Sequence, residues 1–255
     1  WVRECAPGDA EVTLPGRALP PLTMLEGSVA TGECLLIESA DLAFTLEEVA
    51  VLLPEDSPLD AHQLLAATGG WPAGVMATIA GGVTVPGAPL SRASSAWKQY
   101  LASEVWAFVP AGLQPSLLRV SLPLVCSGEI AETLIGRREW LQLRAWLAEH
   151  DFLYEALGDD ALRFNPLLRD FLRSEFERTS ADDFEAAVGQ VVLHLDSTGR
   201  VADAIEIARD AHHVDALVGI VREQSRRLLH QGAFTLLKRA FEAIPGAVLD
   251  SNPLL

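Results

Sequence analysis

Several groups of side chains in this sequence have types that do chemistry, and their spacing decides how far each goes. His194, Asp210, His212 and His213 are the types that ligate metal. Adjacent residues on a helix point about 100° apart, so His212 and His213 are poorly placed to share one ion, and the group reads as a solvated helix end. Paired acids suited to proton transfer occur as Glu47-Glu48, Asp159-Asp160 and Asp182-Asp183. They fall at a helix start, a hairpin turn and another helix start, where dipole and turn preferences already account for them. Serines are present, but no G-x-S-x-G elbow gives one a nucleophile's setting. No G-x-x-x-x-G-K-[ST] loop occurs, and no apolar strand ends in a magnesium-binding acid ahead of Arg17. Phosphoryl transfer therefore has neither cradle nor metal ligand, and the chain by itself is not expected to be an enzyme.

Charge narrows the partners. The 255 residues carry a formal net charge of -16, which opposes broad attraction to phosphate backbones or anionic lipid. The one locally basic stretch, REQSRRLLH from Arg222, lacks interleaved aromatics and reads as a solvated helix face. Cys5, Cys34 and Cys126 are odd in number and widely spaced, with no CxxC, as expected of a reducing, cytoplasmic setting. Residues 61–91 contain no formally charged side chain, but Gly81-Gly82, Pro86 and Pro89 break the run and Thr, His and Gln interrupt it, so it reads as part of a soluble protein and not as a membrane span. The chain begins Trp-Val-Arg-Glu-Cys, without an export signal, and reads as an excised segment.

The elements that must position these residues are mostly helices. EVTL and ECLLIE around a Pro-rich loop are expected as two short strands at the edge of an α/β sheet. In FTLEEVAVLLP, Thr45 and Glu48 have capping-box spacing and Pro54 stops the helix. A second helix is expected over 57–67, ended by Gly69-Gly70, and Pro72 opens a third. LLAATGGWPAGVM, from Leu64 to Met76, is thus a helix-turn-helix junction with an unusually specific turn. A Gly/Pro/Ser-rich linker precedes helices expected over 96–108 and 114–124. REWLQLRAWLAEHDFL reads as an amphipathic helix, LYEALGDDALRF as a hairpin, and NPLLRDFLRSEFERT as a closing helix, the order of a winged-helix unit. After Ala181, four helical stretches separated by Gly199, Gly232 and Pro245 read as antiparallel pairs of a solenoid. Phe234, Leu237, Phe241 and Ile244 are expected to leave an apolar face exposed at its end.

Four of these stretches, in this order, resemble the middle of large LuxR-type regulators, the maltose-activator-like branch of the STAND signalling ATPases. PGRALPPLTML with GECLLIESADLAFTLEEVAVLL resembles the end of that family's nucleotide-binding domain and its first downstream helix. GGWPAGV resembles the Gly-x-Pro segment of its helical domain, LRFNPLLRDFLRSEF the closing helix of its winged helix, and the helices after 181 the arm leading to its sensor. The resemblance implies that Pro72 lies against the adenine of a bound nucleotide and that Arg17 is the sensor arginine reaching toward the terminal phosphates. Where the family commonly has a His that holds the diphosphate of the resting state, this sequence has Asn165, which carries no titratable charge. By the bland reading, Gly69, Gly70 and Pro72 only make a tight connection with Trp71 as anchor, and Arg17 is a solvated side chain.

The expectation is a mainly α protein in four parts: residues 1–40 as the edge of an α/β nucleotide-binding domain, 41–94 as a helical domain, 95–180 as a winged helix, and 181–255 as a helical arm starting a TPR-like α-solenoid. Its expected work is conformational relay between nucleotide state and effector sensing, with no cofactor held by this chain alone and ATP or ADP bound in a full-length parent. The expected partners are the ATPase part and sensor solenoid of that parent, a protein partner, or a second copy through self-association. Direct nucleic-acid or membrane partners are not expected. Two other readings stay open: a piece of a nucleotide-hydrolysing enzyme, and a winged-helix DNA-binding module.

Overall fold

A computed structural model of the chain describes residues 26–37, 41–54, 56–57, 59–80, 95–150, 153–158 and 160–251, with the side chains of 26–27 and 95–97 excepted. Arg17, EVTL and the linker 81–94 lie outside the described residues. The fold is mainly α. A short helix α1 (Glu26–Ala30) is followed by α2 (Leu46–Leu52), α3 (Ala61–Thr68) and α4 (Pro72–Ala80). Thr45 and Glu48 form a reciprocal capping box at the start of α2: the Glu48 carboxylate accepts the Thr45 backbone N–H at 2.8 Å, and Thr45 Oγ1 accepts that of Glu48 at 3.3 Å. The backbone and hydroxyl hydrogen bonds from Thr45 hold the Glu48 carboxyl below its usual range.

Two expectations in this region need correction. Glu33–Ile37 of the ECLLIE stretch form no strand, and Leu35 and Ile37 are exposed, because the described residues offer no strand beside them to pair with. The helix expected from residue 57 starts at Ala61. Ser57 spends its hydroxyl accepting the Leu59 N–H in a local turn, and Asp60 caps the helix by accepting the Gln63 N–H at 3.0 Å.

α5 (Ser95–Glu104) and a 3-10 turn (Trp106–Phe108) lead into α6 (Gln114–Val120). α6 stops before the expected residue 124: Pro123 has no N–H to donate and disfavours helix at Leu122. Next come β1 (Cys126–Ser127), α7 (Gly128–Ile135), α8 (Arg137–Ala148), β2 (Tyr154–Ala156), β3 (Ala161–Phe164) and α9 (Pro166–Thr179). The strands form one antiparallel sheet in the order β1-β3-β2, with Cys126 opposite Leu162 and Tyr154 opposite Phe164. This is winged-helix order, and α7 and β1 are the elements the sequence reading passed over. A single residue, Gly136 at φ 83°, joins α7 to α8, a backbone state that favours glycine.

α10 (Ala181–Ser197), α11 (Val201–Asp210), α12 (Val214–His230), α13 (Phe234–Ala243) and α14 (Gly246–Ser251) follow, with α10 packing on α11, α11 on α12 and α12 on α13. The apolar stripe on α13 is mostly covered: Leu237 and Ile244 are buried and Phe241 is half-buried, leaving Phe234 exposed. Leu237 and Ile244 join the core that runs from α5 to the end of the arm, so the face expected to be open is already filled. A separate small core of Val49, Leu64 and Val75 holds α2, α3 and α4 together. No described helix is long and apolar enough to cross a membrane.

Candidate functional site

The turn between α3 and α4 is built from backbone outward. Gly69 ends α3 in the left-handed conformation at φ 61°, its N–H reaching the Leu65 carbonyl. Gly70 at φ 75° donates its N–H to Thr68 Oγ1 at 3.3 Å, and its carbonyl accepts the Phe44 N–H at 2.8 Å. A Cβ on Gly70 would lie 2.7 Å from the Phe44 carbonyl oxygen, so only glycine permits this approach to the start of α2. Trp71 then turns edge-on to Tyr100 of α5, with ring centroids 6.2 Å apart. Pro72 sits half-buried at the first position of α4, where its missing N–H costs nothing.

Asn165 comes to this turn from the opposite side. It is the N-cap of α9, its Oδ1 accepting the Leu167 N–H at 3.0 Å. Its Nδ2 donates to the Thr68 carbonyl at 2.5 Å. That carbonyl also receives the Trp71 N–H at 3.2 Å, so both its lone pairs are used. One step further along, a Cβ on Gly74 would lie 3.1 Å from Leu167 Cδ1, which shows how closely α4 approaches α9. Two of the three residues singled out by resemblance, Pro72 and Asn165, therefore belong to one junction between the helical segment and the winged helix; the third, Arg17, is not among the described residues.

α9 also carries a residue whose setting the sequence concealed. Arg169 reads as part of a mixed-charge surface with Arg173 and Arg178, yet it is 7% exposed. Its Nη2 donates to the Leu122 carbonyl at 2.6 Å, tying α9 to the segment between α6 and β1. Burial pulls its pKa down to about 10, with Arg173 adding to the effect.

Several of the other candidates have structural partners, and Asp159 lies outside the described residues. His213 caps α12 by accepting the Ala216 N–H on Nδ1 at 3.2 Å, and His212 takes the left-handed conformation between α11 and α12. Among the described residues no cluster of His, Cys, Asp or Glu has the arrangement to hold a metal ion. Asp183 pairs with Arg119, and Asp160 with Arg144 at 2.6 Å. Cys126 is buried in β1, and burial, with the Asp160 charge, pushes its thiol up to about 12.

In the helix-turn-helix pair, α8 occupies the position of a groove-reading helix, with Arg137, Arg138, Leu141 and Gln142 outward. Arg144 is held by Asp160 of the wing, and Arg137 lies 3.9 Å from Glu132.

The segment from α5 to the start of α10 is thus a winged-helix domain, with a three-helix segment docked on the N-terminus of its closing helix and an arm of paired helices behind. Residues 102–184 match the family model of the MalT winged helix domain, so this part of the chain is similar to that domain. No curated protein matches the chain.

Proposed function

We propose that this chain is the central relay of a MalT-like, STAND-type transcriptional regulator, coupling nucleotide state in an ATPase part to effector sensing in a solenoid. The observation that carries the reading is the Asn165–Thr68 hydrogen bond, which fastens the helical segment to the winged helix through one neutral side chain. The MalT-type match over 102–184 supports the regulator class. A relay needs two arrangements whose balance an outside event can shift. One hydrogen bond and an apolar seam, in which Trp71, Ala73 and Ala77 pack against the main core while Val49, Leu64 and Val75 keep a small core of their own, are what a reversible junction is made of.

Pro72 is the residue proposed to meet an adenine and Asn165 to face its phosphates, with Arg17 supplying charge. Asn165 already spends its acceptor on α9 and one donor on Thr68, so its hold on a diphosphate is weak. The chain by itself neither hydrolyses ATP nor binds ATP or ADP tightly, because tight phosphate binding needs a glycine-rich loop and its Lys.

The test reads the junction directly. Spin labels at the exposed positions Met76 and Leu193, with the other cysteines replaced, report the distance between the helical segment and the arm. Asn165→Asp keeps the cap but removes the donor, and is expected to broaden or shift that distance distribution. An unchanged distribution, or micromolar binding of ATP by calorimetry, contradicts the reading.

A further inference from the structure

Beside the first turns of α9, a cleft of about 390 Å³ opens between the winged helix and the start of α11. Leu124, Val125, Phe164 and Pro166 give it an apolar lining, from the segment before β1, the end of β3 and the start of α9. Arg163, Arg169 and Arg200 also line it, against Asp170 and Asp203. Three cations to two anions is an excess of one positive charge, in a chain whose net charge is -16.

The arginines differ in how far their neighbours satisfy them. Arg200 is spent: its Nε and Nη2 both donate to Asp203 Oδ2, at 2.8 and 2.7 Å. Arg163 reaches Glu155 at 3.4 Å across an exposed strand face, where water and salt screen the pair. Arg169 is more than nine-tenths buried and makes its one hydrogen bond to the Leu122 carbonyl, while its Nε has no acceptor among the described residues. A buried guanidinium with an unmet N–H is costly, and native proteins leave few such groups unexplained. Its lowered pKa has the same origin in burial, and at neutral pH the charge remains.

We infer that this cleft binds a small organic oxyanion, with its carboxylate or phosphate head against Arg169 and Arg163 and its apolar body against Leu124, Val125, Phe164 and Pro166. The volume lies in the range of small-molecule pockets, and a guanidinium fork suits either head group. A carboxylate head matches the single excess charge of the lining, and a phosphate monoester, with a charge of about −1.5 to −2 at pH 7, exceeds it. Because β3 and α9 form one wall and the α10–α11 turn the other, the ligand bridges the winged helix and the arm, and its binding stiffens that connection. The site is separate from the Asn165–Thr68 junction and does not depend on how that junction is read.

The experiment follows the methyl resonances of Leu124 and Val125 in the methyl-labelled chain during titration with hexanoate and phenyl phosphate, with hexanol and phenol as neutral controls and inorganic phosphate as a bare head group. Saturable shifts with an anionic amphiphile are expected, with the neutral analogues and inorganic phosphate each about tenfold weaker or worse. Whichever anion binds more tightly identifies the head group. Arg163→Gln should weaken binding several-fold, and Asp170→Asn, which removes a competing negative charge, should tighten it. Both residues lie at the protein surface or partly so, which keeps the test independent of folding; Arg169→Lys, which retains charge but loses the fork, should weaken binding about tenfold where it folds. Equal binding of hexanol and hexanoate, no movement of the two methyls with any probe, or affinities unmoved by Arg163→Gln and Asp170→Asn would overturn the assignment.

Discussion

Asn165 and Thr68 are 97 residues apart in sequence and joined by a 2.5 Å hydrogen bond, from the amide that caps α9 to a carbonyl at the end of α3. One side chain thus starts a helix in the winged-helix domain and holds the turn of another segment. The two roles separate by mutation. Asn165→Ala removes both and is expected to cost about 1–2 kcal/mol for the cap, with faster hydrogen exchange at Gly69 to Trp71. Asn165→Asp keeps a good cap and sets a carboxylate against the Thr68 carbonyl. Its exchange should quicken around Gly69 to Trp71 while the first turn of α9 stays protected. Equal exchange in the parent and Asn165→Asp would show that the bond contributes nothing to the junction.

The glycine turn makes a graded prediction. Gly158 at φ 74° has open space around it, so Gly158→Ala should cost only the left-handed backbone term, about 1–2 kcal/mol. Gly70→Ala adds a contact of 2.7 Å with the Phe44 carbonyl, which is backbone and cannot swing aside. It should destabilise by at least about 2 kcal/mol and detach α2 from α3 and α4 first. Denaturant unfolding of the two variants side by side checks the order.

What was legible in the sequence was local. Thr45 and Glu48 are three residues apart, and a capping box needs nothing else, so it appears where the spacing put it. The same holds for Gly69 as the C-cap of α3 and for the hairpin around Gly158. α7 escaped because it is eight residues long, opens on a glycine and shows scarcely two turns of periodicity. Its stability comes from α6, α8 and α10 packed around it, which no local pattern reports. Arg169 was hidden for the same reason: a charged residue beside Asp170 looks solvated until Leu122, 47 residues earlier, is found against it. Asn165 could have been recognised as a helix cap from the Pro that follows it, but not its second bond, which depends on how two segments meet.

Duplex DNA should not bind at about 0.15 M salt. On α8, Arg144 is engaged by Asp160 and Arg137 stands near Glu132, leaving Arg138 as the arginine of that helix with no ion pair among the described residues. Glu139 sits beside it, and the wing adds Glu155. With a chain charge of -16, few phosphates can be neutralised. A gel shift with a mixed-sequence duplex is expected to show free DNA at micromolar protein. A retained band that weakens steeply with salt would restore the DNA-binding reading.

Alkaline pH should destabilise the fold through one thiol. Cys126 is 1% exposed, and burial first, then the nearby Asp160 charge, raises its pKa from 9.0 to about 12. The folded chain therefore holds this proton more tightly than the unfolded one. Its contribution is fully present below pH 9.0 and is lost as pH rises toward 12. Arg169 works the other way, because its folded pKa is lowered to about 10 from 12.5; above 10 the unfolded chain binds the extra proton, and that group adds stability as pH rises. The thiol acts unopposed between these thresholds, so unfolding free energy should fall from about pH 9 to about pH 10, by at most about 1.4 kcal/mol per unit, and then level off. Urea titrations of the chain and of Cys126→Ala across this range give the thiol's share by difference, since the other groups titrate alike in both. The same burial makes Cys126 slow to react with iodoacetamide at neutral pH, while half-exposed Cys34 reacts readily. If Cys126→Ala keeps the full alkaline slope, the loss belongs to other groups.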